Sequence, residues 1–122
     1  MSKAERYRQI IEQTRVRFLH DATTKMHDLH QIFADYRQFD DPDPQAGSAV
    51  ADRVHRHIHA IKGLALTLSY ASIDELCGEM IHFILNDPPK IWKREYVEQL
   101  ERYVHQLEQL LHEAAAAPPQ QP

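Results

Sequence analysis

The run His59-Ala60-Ile61-Lys62-Gly63 holds the residues best suited to chemistry. A neutral imidazole is a nucleophile that can accept a phosphoryl group, and an ordinary histidine, with a pKa of about 6.5, is largely neutral at pH 7. On a helix, Lys62 would share a face with His59 and could offset the charge of phosphoryl oxygens there. Gly63 lies one turn after His59, where a side chain would crowd an approaching partner. The spacing therefore indicates phosphoryl-group chemistry.

The composition argues against several other functions. The chain has 122 residues, enough for one domain, and a net charge of −4 with no basic stripe, which argues against nucleic acid as a partner. Cys77 is the only cysteine, so neither an intrachain disulfide nor a thiolate zinc cage can form. No apolar run is long enough to span a bilayer, and the polar start lacks a signal peptide, so we expect no membrane association and a cytoplasmic location.

Four helices must position the reactive run, because apolar residues recur every three or four positions between breaks at the prolines. We predict an all-α, antiparallel four-helix bundle over residues 1–113, possibly with a short leading N-terminal helix if Asp21-Ala22-Thr23-Thr24 breaks helix one. Residues 114–122, rich in Ala, Pro and Gln, are predicted to be a flexible tail or the start of a linker.

The helices are predicted from caps, breaks and apolar spacing. Helix one runs from about Lys3 to Arg37, and helix two follows a loop from Asp40 to Gly47. Helix three starts near Ser72, where Ser72-Ile73-Asp74-Glu75 matches a capping box, and Asn86-Asp87-Pro88-Pro89 ends it. Helix four follows. The predicted inward residues are Ile11, Phe18, Ala22, Met26, Leu29, Phe33, Tyr36; Val54, Ile58, Ile61, Ala65, Leu68; Ile73, Leu76, Met80, Ile84; and Ile91, Val97, Leu100, Val104, Leu107 and Leu111.

His59 is predicted to be exposed, because its row of residues is rotated by roughly 100° from the inner stripe of helix two. Metal binding is an alternative, since His55 and His59 are spaced by four. No third ligand is identifiable, however, and His57 points to a different side, so we predict no metal site. His20, His27 and His30 are interpreted as solvated, Cys77 as a small core residue, and Trp92, Tyr96 and Tyr103 as packing aromatics.

The segment from His55 to Met80 resembles the histidine-containing phosphotransfer (HPt) domain family of two-component phosphorelays. Members of that family typically show His-x-x-Lys-Gly, then small residues, an apolar residue, a turn glycine and a further helix. The matching positions here are His59, Lys62, Gly63, Ala65, Leu68, Ser69, Ile73 and Cys77. The resemblance implies a four-helix bundle in which His59 is phosphorylated, Lys62 is its charge partner and Gly63 gives clearance for a receiver domain.

Three residues depart from the family pattern. Ser69 stands where a turn glycine is usual, which a different helix-to-helix turn could accommodate. Leu66 replaces a very small residue, so it could narrow receiver docking or supply an apolar contact that sets partner choice. Ile81 lies where chemotaxis kinases carry a glutamate that activates the histidine, which makes the chain more similar to a receiver-facing carrier.

The resemblance implies a module that accepts and donates a phosphoryl group on His59, with receiver-domain aspartates or a hybrid histidine kinase as partners. No cofactor is expected on this chain, and magnesium is expected on the partner receiver. Receiver docking is assigned to His55, Arg56 and Leu66. The chain would be a phosphoryl carrier rather than an independent kinase, because it has no nucleotide-binding loop. The alternative is a docking domain that binds a receiver without phosphotransfer.

Overall fold

The computed structural model describes residues 2–85 and 91–117, in which four helices and no strands occur. They are α1 (Lys3–Arg37), α2 (Pro44–Ala65), α3 (Ala71–Leu85) and α4 (Arg94–Ala116). Each helix packs against the next, and α1 also packs against α4, which closes the ring of a four-helix bundle. The predicted fold class is therefore confirmed. Asn86 to Pro89, the predicted end of helix three, and residues 118–122 of the predicted tail lie outside the described residues, and α4 itself continues to Ala116.

Helix α1 is a single uninterrupted helix, so the short leading helix considered above does not form. The hydroxyls of Thr23 and Thr24 donate to the carbonyls of Leu19 and His20, at 2.9 and 3.2 Å. These threonines thus satisfy their hydroxyls within the helix instead of capping a new one. The predicted inner residues of α1 are buried except Ile11, which is partly exposed.

Helix α2 begins at Pro44, earlier than predicted, because Asp43 caps it by accepting a hydrogen bond from the Ala46 amide. Gly47, assigned above to the loop, therefore lies inside the helix and is buried. A Cβ atom at Gly47 would stand 2.1 Å from the carbonyl oxygen of Trp92. The glycine is thus where the segment before α4 crosses the first turns of α2.

The turn from α2 to α3 is a Schellman motif. The Tyr70 amide donates to the Ala65 carbonyl at 2.8 Å, and the Ser69 amide donates to the Leu66 carbonyl at 3.0 Å. Ser69 has a φ of 69°, the left-handed conformation that glycine usually supplies. The different turn suggested above as a way to accommodate Ser69 is therefore not used, since the serine itself adopts the conformation usual for glycine.

The capping box predicted for helix three does not form. Helix α3 begins at Ala71, and the Asp74 amide donates to the Tyr70 carbonyl at 3.0 Å. Ser72 consequently lies within the first turn, after the position where a cap would act. Tyr70, the last residue of the Schellman turn, directly precedes α3, and its carbonyl accepts the first hydrogen bond of that helix.

The core fills the space between the four helices and contains all but two of the inward residues predicted from periodicity. Besides Ile11, the exception is Ile91, which lies before α4 and is 63% exposed, whereas the adjacent Trp92 is buried. Trp92 packs with Phe83, at 5.9 Å between ring centroids, and with Tyr96, at 6.3 Å, and Tyr103 also packs on Phe83. The interpretation of these three as packing aromatics is confirmed, and Trp92 rather than Ile91 contributes to the core.

Candidate functional site

The outward face of α2 carries His59. Its imidazole is exposed, as predicted, and the ring of His55 lies one turn earlier on the same face, with 6.0 Å between ring centroids. Gly63 is exposed one turn later, and a Cβ atom built there would meet nothing within 4 Å. The surface around the His59 imidazole is therefore open along the helix, and the fold itself does not require a glycine at position 63.

The three residues assigned to receiver docking differ in how far their side chains are exposed. Leu66 is 61% exposed and lies two turns after His59 on the same face. Arg56 is exposed, whereas His55 is half-buried. The structure thus places an apolar side chain, a guanidinium and two imidazoles along one helix surface. Such a mixed surface can offer hydrophobic contact and positive charge to a partner at the same time.

Lys62 is not free beside His59. Its ammonium forms an ion pair with Asp74 of α3, with 2.8 Å between Lys62 Nζ and Asp74 Oδ1. The side chain reaches Asp74 by passing Gly78, where a built Cβ would lie 3.6 Å from Lys62 Cε. The sequence reasoning missed this partner, since Asp74 was interpreted only as part of a cap. The signal was available, because Lys62 and Asp74 are each four residues from the turn at 66–70, and antiparallel helices bring such positions side by side.

The opposite flank of α2 is attached to α1. Asp28 of α1 accepts a hydrogen bond from His57 Nε2 at 2.6 Å and from Arg53 at 3.2 Å. The hydrogen bond from His57, followed by that from Arg53, lowers the pKa of the Asp28 carboxyl, although partial burial opposes the shift. His57 therefore faces α1 and not the surface of His59, in agreement with the sequence prediction. Within residues 2–85 and 91–117, no three His, Cys, Asp or Glu side chains are grouped to hold a metal ion.

Two further side chains complete the surroundings. Cys77 is fully buried, and burial, followed by the nearby Asp74 carboxylate, raises the pKa of its thiol to about 12. This confirms Cys77 as a core residue, and its burial and raised pKa both disfavour the thiolate form that a nucleophile needs. Ile81 is partly buried and packs against the core, so the position of the glutamate in chemotaxis kinases holds an apolar side chain.

One histidine differs from its predicted solvated state. His30 Nε2 lies 2.7 Å from Glu108 Oε2 of α4, and its ring lies 5.8 Å from that of His105. The antiparallel packing of α1 on α4 creates this pair, which periodicity along α1 alone does not indicate.

Comparison with known families agrees with this geometry. The family model of the Hpt domain matches residues 13–117, which is most of the chain. The chain therefore belongs to the Hpt domain family, the histidine phosphotransfer modules of two-component phosphorelays that interact with receiver domains and kinases. Neither the search of curated proteins nor the search of solved structures gave a match. Among the helices of residues 2–85 and 91–117, none combines the length and the apolar character that crossing a membrane requires.

Proposed function

We propose that this chain carries a phosphoryl group on His59 and exchanges it with the aspartate of a receiver domain. The observation that carries the proposal is the exposure of His59 on a helix face that is open along Gly63. An aspartyl phosphate sits in a cleft of its own protein, so only an imidazole that projects from a surface can reach it. A buried histidine in the same family motif could not serve.

The transfer is an in-line displacement at phosphorus. The lone pair of a neutral imidazole nitrogen of His59 forms the new nitrogen–phosphorus bond. The bond between phosphorus and the aspartyl oxygen breaks, and the carboxylate of the receiver leaves with that electron pair. The second ring nitrogen keeps its proton throughout, and donation to another receiver is the same reaction in reverse. The receiver supplies magnesium and acidic residues, and this chain supplies position and charge.

Docking is proposed to use Leu66 as the apolar contact, together with His55 and Arg56 in the helix turn that precedes His59. Leu66 is 61% exposed and is not needed by the core. A leucine where the family usually has a very small residue adds contact area and narrows the set of receivers that fit. The exchange is proposed to take place in the cytoplasm, with a response-regulator receiver or a hybrid kinase as the partner.

The test is transfer of radiolabel from a panel of phosphorylated receiver domains. Label should appear on the wild-type chain as an acid-labile, base-stable product and should be absent from His59→Gln. His27→Gln is the matched control, because His27 is an exposed histidine on α1 and its loss should leave the label in place. Circular dichroism should show equal helicity in all three proteins. Label that persists on His59→Gln would refute the assignment.

The second candidate is a domain that docks to a receiver without accepting phosphate. The observation that favours it is the engagement of Lys62 by Asp74, which takes the ammonium into an ion pair. Binding of a receiver to the wild-type chain without any transfer of label would establish this candidate and would overturn the first.

A further inference from the structure

The ion pair between Lys62 and Asp74 lies where it could affect a reaction at His59. It joins α2 to α3 beside the histidine face, with the Asp74 side chain 19% exposed and the Lys62 side chain 38% exposed. Both groups are therefore partly shielded from water but still accessible from the surface that a partner would cover. Lys62 is also the cation expected to act on a phosphoryl group three residues away.

A phosphoryl group on His59 would compete with Asp74 for the same ammonium. The phosphoryl group brings between one and two negative charges and three acceptor oxygens. The Asp74 carboxylate weakens the interaction between the phosphoryl group and the Lys62 ammonium in two ways. It holds the ammonium in an ion pair, and it adds a like charge near the phosphoryl group. Either effect makes phosphohistidine less favourable relative to the aspartyl phosphate of the receiver.

We propose that Asp74 is a positioning residue that restrains Lys62 and thereby sets the phosphoryl-transfer equilibrium between receiver and His59. This inference rests on the proposed function and deepens it. Asp74 does not touch the reacting atoms but acts through Lys62. By holding Lys62 on α3, it biases the carrier toward giving its phosphoryl group away.

The inference is tested with Asp74→Asn, which removes the charge and keeps the shape of the side chain. The quantity to measure is the equilibrium ratio of label on His59 to label on one receiver. We expect the ratio to rise by about two- to fivefold, the range expected for loss of a partly exposed ion pair. Asp21→Asn is the control for net charge, because Asp21 is exposed on α1, and it should leave the ratio unchanged.

A double-mutant cycle separates restraint of Lys62 from a general loss of negative charge. In the Lys62→Ala background, Asp74→Asn should raise the ratio much less than it does in the wild type. An equal rise in both backgrounds would overturn the inference, and so would an unchanged or lowered ratio in Asp74→Asn. A wild-type chain that takes up no label refutes the proposed function, and this inference with it. A labelled wild type whose ratio does not respond to Asp74→Asn overturns this inference alone.

Discussion

The three glycines of the chain all lie within helices, and their surroundings predict opposite effects for the same substitution. A Cβ atom at Gly63 meets nothing within 4 Å, and one at Gly78 meets Lys62 Cε at an ordinary 3.6 Å. Alanine is favoured over glycine inside a helix by about 1 kcal/mol. Gly63→Ala and Gly78→Ala should each raise the free energy of unfolding by about that amount, which corresponds to about 4 °C in Tm.

Gly47→Ala should have the opposite effect. The added methyl group would stand 2.1 Å from the Trp92 carbonyl oxygen and 2.9 Å from Trp92 Cβ, so backbone must move. Overpacking of this kind costs about 1–3 kcal/mol, which exceeds the gain in helix propensity. We expect a net loss of up to about 2 kcal/mol, measured with the other two variants by urea and thermal unfolding.

The rate of phosphotransfer should distinguish Gly63→Ala from Gly78→Ala, the two variants expected to be more stable than the wild type. If Gly63 gives clearance to the receiver, Gly63→Ala should be more stable than the wild type and slower in transfer, by at least about tenfold for a misplacement near 1 Å. Gly78→Ala is the matched control and should transfer at nearly the wild-type rate. Destabilisation by Gly63→Ala would refute the account of its surroundings. A wild-type transfer rate in Gly63→Ala would refute the clearance role.

Two further substitutions test the turn and the α1–α2 contact. Ser69→Gly should stabilise the chain by about 1 kcal/mol, because it relieves a φ of 69° at a non-glycine residue, whereas Ser48→Gly within α2 should destabilise it; a loss of stability in Ser69→Gly measured by urea unfolding would contradict this. Asp28→Asn should lower the free energy of unfolding at pH 7 by less than about 1 kcal/mol, since the carboxylate is partly exposed. Because the folded pKa of Asp28 is lowered from 3.8, its contribution is present above that pH and is lost as the pH falls through the lowered pKa. The difference between the two proteins should therefore close below about pH 3.8, and a difference that stays constant down to pH 2 would show that the pKa shift is not its source.

Periodicity was sufficient for the architecture, because burial of an apolar stripe is what holds each helix in the bundle. It placed Val54, Ile58 and Ile61 in the core and consequently His59 outside it. Periodicity did not predict where the helices begin, because helix starts depend on capping interactions of individual residues. Both Asp43-Pro44 and Ser72-Ile73-Asp74-Glu75 carry capping signals, but only the first is used, since the second follows a turn that has already started the helix.

The sequence was sufficient to propose the residues of the candidate site that lie on a single helix, α2. His59, Lys62 and Gly63 were proposed from their spacing along α2, a helix that lies within the range matched by the family model. The partners of Lys62 and His57 were not predicted, because each lies on another helix and depends on register between helices. Pairs that cross between helices, such as His30 with Glu108, are of the same kind.

If His59 carries a phosphoryl group as proposed, the attachment of α2 on both flanks affects how a partner would distinguish the phosphorylated from the unphosphorylated chain. Asp28 anchors one side of the helix to α1, and Asp74 anchors the other to α3. Arg15 of α1 also donates to the Leu68 carbonyl within the turn that follows α2. A phosphoryl group on His59 would draw Lys62 away from Asp74 and change the charges on this face, whereas the contacts of α2 with Asp28 and Arg15 would remain in place. A receiver would then distinguish the phosphorylated from the unphosphorylated chain by charge alone, and added salt would weaken that distinction. Release after transfer would follow from the change in electrostatic attraction, without any opening or closing of the bundle.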